Sequence, residues 1–230
     1  MKIIAHRSGT DNFPEQTILS AEKSIEYGAD LIEVDTRFSL DKKIVINHDS
    51  TAERLYGIEK DIDEMTAEEF LSLKRLENPD FGGHLFEEYL QKDIKNLLLH
   101  IKEGGDGLKD IIALCREYEC LDTVIFGIHS VADFEIVKSA GKNLKTLAFM
   151  PNPLEIPKFA GCDYIRLWED WCNESNIELV KKTGKRLWIM SNSPTVGEVC
   201  EGSYEFYKSC GADGILVNKV APAVKYFATV

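Results

Sequence analysis

The sequence lacks any long apolar run and any leader segment. No stretch of the 230-residue chain approaches the roughly 18 apolar residues that a membrane helix needs. No charged and apolar leader precedes the first predicted strand, which begins at residue 2. These absences predict a cytoplasmic protein without a membrane span.

Positive charge is also scarce. The chain has 27 Lys and Arg residues against 39 Asp and Glu residues, which gives a formal net charge of -12, and no Lys/Arg-rich run interrupts this pattern. Nucleic acids and anionic membranes bind basic surfaces, so neither is an expected partner. An anionic substrate would need a local cationic site.

The six cysteines form no C-x-x-C motif. A chain with 44% hydrophobic residues can bury a large core without disulfide support. We therefore expect reduced thiols, and no zinc site built from these cysteines.

Short apolar runs predict nine strands, and segments with helical periodicity separate most of them. The predicted strands span residues 2–7, 31–39, 43–49, 96–102, 123–129, 144–150, 164–168, 186–192 and 214–218. No G-x-G-x-x-G motif follows any strand, which argues against a doubly wound nucleotide-binding sheet. With 43–49 as an accessory strand, eight strands alternating with helices predict a single TIM (β/α)8 barrel domain over residues 1–230.

Residues 50–95 interrupt this alternation. The segment is polar, Thr66 and Glu69 have the spacing of a capping box at a helix start, and 85–91 predicts a second helix. We interpret it as a small insertion between the second and third barrel strands, on the C-terminal rim. Such an insertion either shapes substrate access or is a surface segment without a role in function.

Two carboxylates share one face of the second barrel strand. Glu33 and Asp35 are two residues apart, about 6.6 Å along a strand. Two negative charges at that distance repel by about 2.5 kcal/mol at an effective dielectric near 20, and a bound cation would relieve the repulsion. The alternative is that both face solvent or pair with surface lysines.

Other ionisable residues gather at the C-terminal strand ends, where barrels of this kind carry their function. His6 and Arg7 follow the first strand, His48 follows the accessory strand, and His100 and Lys102 lie on the third barrel strand. Later strands offer only His129 and Arg166, and His84 lies in the insertion. A divalent ion on the carboxylates, two cations for phosphate and two histidines for proton transfer suit cleavage of a phosphodiester.

Two long motifs resemble the glycerophosphodiester phosphodiesterase family. "AHRSGTDNFPEQT" is similar to the family's His-Arg-Gly followed by Pro-Glu-Asn-Thr, and "GADLIEVDTRFSLDKKIVINHD" is similar to its Gly-Ala-Asp-x-Ile-Glu-x-Asp segment ending in His-Asp. "MTAEEFLSLK" and "GADGILVN" also resemble family segments. The resemblance is strong over residues 1–50.

The resemblance implies a barrel hydrolase for small glycerophosphodiesters, with one divalent metal ion, Mg²⁺ or Ca²⁺. It implies a metal site that includes Glu33 and Asp35, and general acid and base roles for His6 and His48. Attack by the substrate's neighbouring hydroxyl would give a cyclic phosphate that water opens. Arg7 would contact phosphate, and Glu15 would support the site.

The third barrel strand departs from the family pattern. The family reads Glu-Ile-Lys where this chain has His100-Ile101-Lys102. A nitrogen ligand favours Mn²⁺, Fe²⁺ or Zn²⁺ over Ca²⁺ and Mg²⁺. His100 is thus a metal ligand, a metal-free phosphate contact, or a structural residue.

Three functions follow from these residues. The first is a metal-dependent phosphodiesterase in which His100 is a metal ligand and Lys102 binds phosphate. The second is a catalytically impaired barrel that binds a phosphodiester-like ligand. The third is an aldolase with Lys102 as Schiff-base lysine, which leaves the paired carboxylates unexplained.

Overall fold

The computed structural model describes residues 1–200 and 202–229. Its strands are β1 (Lys2–Ala5), β2 (Leu31–Phe38), β3 (Ile44–Ile46), β4 (Thr51–Ala52), β5 (Ile58–Asp61), β6 (His84–Leu85), β7 (Leu97–Ile101), β8 (Ile125–Ile128), β9 (Lys145–Ala148), β10 (Tyr164–Trp168), β11 (Arg186–Met190) and β12 (Gly214–Val217). All nine predicted strands are present, so the strand prediction is confirmed.

Eight of these strands close into a parallel barrel. Around the barrel they follow the order β1, β2, β7, β8, β9, β10, β11, β12, and β12 pairs with β1 to complete the ring. The accessory strand β3 pairs antiparallel with the end of β2, and β6 pairs with β3. The predicted (β/α)8 barrel is confirmed.

Helices follow most of the barrel strands. They are α1 (Ile18–Glu26), α2 (Glu53–Tyr56), α3 (Ala67–Ser72), α4 (Phe86–Gln91), α5 (Gly107–Glu117), α6 (Val131–Ala140), α7 (Glu174–Thr183), α8 (Ser203–Ser209) and α9 (Val220–Ala228). Three short ones, α2, α3 and α4, belong to the insertion. The sequence analysis does not predict α9. Its Pro222 lies in the first turn, where a missing backbone N–H costs little.

Apolar side chains fill the barrel from its N-terminal end. Ile4, Leu98, Leu147, Trp188 and Leu216 form part of this inner cluster and are at most 1% exposed. Because side chains alternate along a strand, the next inward positions lie nearer the C-terminal mouth. Those positions carry the ionisable residues.

The insertion packs beside the mouth. It contains the antiparallel hairpin of β4 and β5, followed by α3, β6 and α4. Its Arg54 contacts Glu15 and Asp49, which lie next to Arg7 and His48 in the mouth. The segment therefore borders the candidate site.

Removing the capping hydroxyl of α3 is expected to destabilise the insertion. Thr66 Oγ1 accepts from the Glu69 amide at 3.2 Å, and the Glu69 carboxylate accepts from the Thr66 amide at 2.9 Å, so the predicted capping box is present. Thr66→Ala should lower the free energy of unfolding by about 1 kcal/mol, measured by urea denaturation. Thr66→Ser keeps the hydroxyl and should retain most of the stability; equal losses in both variants would contradict the assignment.

All six cysteines are free thiols, as predicted. Among residues 1–200 and 202–229, every helix is too short or too polar to cross a bilayer.

Candidate active site

Glu33 and Asp35 point into the barrel. Their side chains are 1% and 0% exposed, so they do not face solvent or surface lysines. Glu33 Oε2 accepts from the Arg7 amide at 2.6 Å, and Asp35 Oδ2 accepts from Gln16 Nε2. The second oxygen of Glu33, Oε1, has no hydrogen-bond partner among the described residues, whereas the second oxygen of Asp35, Oδ1, forms an ion pair with Lys102.

These two oxygens face a common nitrogen. His100 Nδ1 lies 2.8 Å from Asp35 Oδ1 and 3.4 Å from Glu33 Oε1. One ligand atom from each of the three residues lies within 4.8 Å of the others. Lys102 Nζ lies 2.8 Å from the same Asp35 oxygen and 3.2 Å from His100 Nδ1.

Burial and neighbouring charges shift the pKa values of the two carboxyl groups in opposite directions. Burial, and then the negative charge of Asp35, raises the pKa of Glu33 to about 7. Burial acts on Asp35 in the same direction, but Lys102 and His100 hold the pKa of Asp35 well below its usual value. Burial lowers the pKa of His100 to about 4, which keeps its imidazole neutral and able to act as a ligand.

Arg7 and Ser8 lie in a left-handed turn between β1 and α1. Their φ angles are +50° and +70°, a conformation that non-glycine residues seldom adopt, and this turn directs the Arg7 amide to Glu33. The next residue, Gly9, has φ +85°, and a Cβ there would lie 2.1 Å from Ser24 Oγ. The glycine that follows this histidine-arginine pair is therefore required by the close approach of α1.

His6 is buried and held in one tautomer. Asn218 Nδ2 donates to the Val196 carbonyl at 2.8 Å, so its Oδ1 accepts from His6 Nδ1 at 2.6 Å and leaves Nε2 as the free acceptor when the ring is neutral. Burial lowers the pKa of His6, although Glu33 opposes this shift. The ring is thus a neutral base in the mouth.

His48 is more open, with its side chain 32% exposed. Its Nδ1 lies 2.8 Å from the Asp49 carboxylate, and its carbonyl accepts two hydrogen bonds from Arg37 at 2.9 and 3.2 Å. Burial is the largest cause of a lowered pKa for His48, against the charge of Asp35. The Arg37 contacts fix the backbone, so the imidazole is held at the mouth.

Arg7 and Glu15 form an ion pair at the rim. Arg7 Nη1 lies 3.1 Å from Glu15 Oε2, and Arg54 Nη2 lies 2.6 Å from Glu15 Oε1. The carboxylate therefore sits between two guanidinium groups. It orients Arg7 toward the part of the mouth near β1.

The later strands contribute an aromatic and cationic wall. His129 Nε2 lies 3.0 Å from His100 Nε2, and Phe149 stacks on His100 with ring centroids 3.9 Å apart. Arg166 is 4% exposed, and its Cζ lies 3.8 Å from the centroid of the Trp168 ring. Burial lowers the pKa of Arg166 to about 9, so it remains cationic at neutral pH.

The structure brings together all the residues predicted for the site, while His84 pairs with Glu88 in the insertion. The sequence analysis does not predict Gln16 or Asn218. Gln16 follows Glu15 within the first motif, and Asn218 directly follows β12. Their positions at C-terminal strand ends and loops are the signal that would have identified them.

Comparison with known proteins identifies the family of this chain. The model of the glycerophosphoryl diester phosphodiesterase family matches residues 6–196. A glycerophosphodiester phosphodiesterase of Caldanaerobacter subterraneus subsp. tengcongensis is 29% identical over 158 residues, which cover 62% of this chain and 64% of that protein. A lysophospholipase D of Mus musculus is 33% identical over 132 residues, which cover 52% of this chain and 40% of that protein.

Solved structures share the fold along the whole chain. A glycerophosphodiester phosphodiesterase from Agrobacterium tumefaciens superposes with a TM-score of 0.79 at 18% identity and covers 100% of both chains. One from Thermotoga maritima has a TM-score of 0.77 at 20% identity and covers 97% of both chains. At these identities the likeness establishes the barrel fold.

Proposed function

Because the chain belongs to the glycerophosphoryl diester phosphodiesterase family, we propose that it hydrolyses glycerophosphodiesters, or similar small phosphodiesters, to an alcohol and glycerol phosphate. We propose that residues 1–230 act as one barrel domain and use one divalent metal ion. The observation that carries the proposal is the convergence of ligand atoms from Glu33, Asp35 and His100 within 4.8 Å of one another, at a mouth that also holds two cations and two further histidines.

The residues fit a divalent cation. Glu33 Oε1 is buried and accepts no hydrogen bond among the described residues, and a buried acceptor of this kind is costly unless a cation or donor satisfies it. Asp35 Oδ1 is buried beside it and paired with Lys102. Glu33, Asp35 and His100 would hold the ion, which would polarise a phosphoryl oxygen and offset its charge. The nitrogen ligand favours Mn²⁺, Fe²⁺ or Zn²⁺, whereas the family resemblance favours Mg²⁺ or Ca²⁺.

His129 supports the orientation of His100. A metal-binding histidine normally donates its other ring N–H to a neighbour. With Nδ1 free to bind, His100 Nε2 would donate to His129 Nε2, 3.0 Å away. Stacking on Phe149 restrains the same ring.

The two other histidines are proposed to transfer protons. His6 Nε2 would accept the proton of the attacking hydroxyl, because Asn218 holds the proton of the neutral ring on Nδ1. His48 in its protonated form would give a proton to the leaving oxygen. The Asp49 carboxylate would favour that form, in opposition to the burial that lowers the pKa of His48. The neighbouring hydroxyl of the substrate would attack phosphorus, and water would open the cyclic phosphate.

The remaining charge of the phosphate is assigned to two cations. Arg7 and Lys102 lie on either side of β2, Arg7 shortly after the end of β1 and Lys102 directly after β7. Guanidinium and ammonium groups both bind phosphate oxygens. Glu15 would keep Arg7 in place through the 3.1 Å ion pair.

A second function is favoured by one specific contact. Lys102 Nζ lies 2.8 Å from Asp35 Oδ1 and 3.2 Å from His100 Nδ1, so an ammonium group lies close to the atoms that would hold the ion. A barrel in which Lys102 replaces the metal would bind phosphodiesters without hydrolysing them. The same ion pair argues against a Schiff-base role, because an ammonium held by a buried carboxylate is a poor nucleophile.

Activity should be measured for the wild type and His100→Glu with Mg²⁺, Ca²⁺, Mn²⁺ or Zn²⁺ and a panel of glycerophosphodiesters. The wild type is expected to hydrolyse at least one diester and to prefer Mn²⁺ or Zn²⁺. His100→Glu should shift the preference toward Mg²⁺ or Ca²⁺, because a carboxylate replaces the nitrogen ligand.

His84→Glu is a matched control, since His84 lies in the insertion and pairs with Glu88. Its metal preference should equal that of the wild type. An unchanged preference in His100→Glu would remove His100 from the metal site. No turnover of any diester with any of the four ions would leave the impaired barrel as the function.

A further inference from the structure

Arg166 is a buried cation that forms no ion pair with a carboxylate of the described residues, although the negative charge of Glu33 acts on it from a longer distance. The other mouth cations are paired: Lys102 lies 2.8 Å from Asp35, and Arg7 lies 3.1 Å from Glu15. Arg166 is 4% exposed, and its Nε and Nη1 have no hydrogen-bond partner within the described part of the chain. A buried charge of this kind is unfavourable unless an anion compensates it.

Arg166 lies on a different wall of the mouth from Arg7 and Lys102, although its guanidinium carbon is 5.2 Å from Phe149, the ring that stacks on His100. In the closed ring of eight strands, β10 lies four strands from β2 in either direction. Arg7 and Lys102 flank β2, whereas Arg166 projects inward from the opposite wall, in register with the inward Trp188 of β11. A ligand that spans the mouth would therefore present a different part to Arg166.

The aromatic surroundings disfavour a cationic group there. The guanidinium carbon of Arg166 lies 3.8 Å from the centroid of Trp168 and 5.2 Å from that of Phe149. Aromatic faces can receive a quaternary ammonium group, but here an internal cation already covers them and would repel a second one. An anion would instead be attracted by this guanidinium, whose planar set of donors suits carboxylate and phosphate.

We propose that Arg166 is a specificity-determining residue that binds a second anionic group, a carboxylate or a phosphate, on the part of the substrate across the mouth from the scissile phosphate. This assignment rests on the proposed phosphodiesterase function. It narrows the substrate class to diesters whose alcohol portion is anionic, in preference to choline-like diesters.

Four glycerol phosphodiesters of similar size test the assignment. Their second alcohols are 1,3-propanediol, which is neutral, 3-hydroxypropionate, 3-hydroxypropyl phosphate and choline. The wild type should have a kcat/KM at least about tenfold higher for one or both anionic diesters than for the neutral one, since a charge-assisted hydrogen bond contributes on that scale. The carboxylate and phosphate arms show which anion is preferred, and choline should be the poorest substrate.

Arg166→Gln should lower kcat/KM for the preferred anionic diester by about 10- to 100-fold, mainly through KM, and leave the neutral diester within about threefold. Arg166→Lys, which keeps the charge but loses the planar donor pair, should be intermediate and is the fallback if the first variant misfolds.

Arg186→Gln is the matched control: Arg186 lies at the other end of the barrel, with its Cζ 5.8 Å from the Tyr164 ring, and should behave as the wild type. An equal loss for all four diesters, or no charge preference in the wild type, would overturn the proposal.

Calorimetric titration of the same diesters into His48→Ala separates this inference from the proposed function. Anion-selective binding that depends on Arg166, without turnover by the wild type, would mean that the proposed function alone fails. Turnover with equal use of choline and anionic diesters would mean that the role of Arg166 alone fails. Binding without any charge preference would overturn the role of Arg166 whether or not turnover occurs.

Discussion

Replacing His48 with alanine is expected to lower kcat for the best diester substrate by about 10²- to 10⁴-fold, the usual contribution of a positioned acid or base. The imidazole is 32% exposed and its backbone is fixed by Arg37, so truncation removes the proton donor with little loss of packing. Steady-state kinetics at saturating substrate measure the effect. KM should change little, because the proposed role lies in the transition state.

His84→Ala is the matched control for this loss. That imidazole also lies next to a carboxylate, Glu88 at 3.2 Å, but it is in the insertion and has no proposed role in proton transfer. Its kcat should equal that of the wild type. If His48→Ala kept at least one tenth of the wild-type kcat at an unchanged melting temperature, the acid role of His48 would be wrong.

Replacing Asp35 with asparagine is expected to abolish stabilisation by metal ions. At a Mn²⁺ concentration 100 times its Kd, binding to the folded state adds about 2.7 kcal/mol to the free energy of unfolding. Asp35 is one of the three residues that would hold the ion, and the amide of asparagine supplies no charge to hold it. Thermal unfolding with and without Mn²⁺ measures the difference independently of turnover.

A matched substitution separates this effect from loss of surface charge. Asp106 pairs with Lys109 at 2.6 Å in an exposed position, so Asp106→Asn should keep the full Mn²⁺ stabilisation. His100→Gln, which keeps Asp35 paired with Lys102, serves as a second site variant if Asp35→Asn does not fold. Retention of the Mn²⁺ effect in both site variants would place the ion elsewhere.

Local patterns predict most of the fold. Apolar runs identify nine strands, which are the eight barrel strands and the accessory strand. A strand that is buried between the helices and the barrel core must be apolar along most of its length. The same rule misses β5 (Ile58–Asp61), whose residues are mostly exposed and polar, and the two-residue β4 and β6. Strands this short and polar carry no periodicity to detect.

Part of the candidate site can also be predicted from the local sequence. Glu33 and Asp35 share a face because side chains alternate along any strand, and the adjacency of β1, β2 and β7 follows from chain order in a barrel. The contacts of Gln16 and Asn218 cannot be predicted in this way. Gln16 reaches Asp35 from a loop residue with φ +57°, and Asn218 meets His6 across 212 residues of sequence.

By itself, the sequence determined the barrel, the family and the residue types available for phosphodiester chemistry. The assembled barrel is needed to show that Glu33 Oε1 accepts no hydrogen bond, that Nε2 of His6 is the free ring nitrogen, and that Arg166 forms no ion pair, each among the residues that the structure describes. The reason is physical: alternation along a strand is local backbone geometry, whereas burial and pairing depend on which side chains meet when eight strands close into one ring.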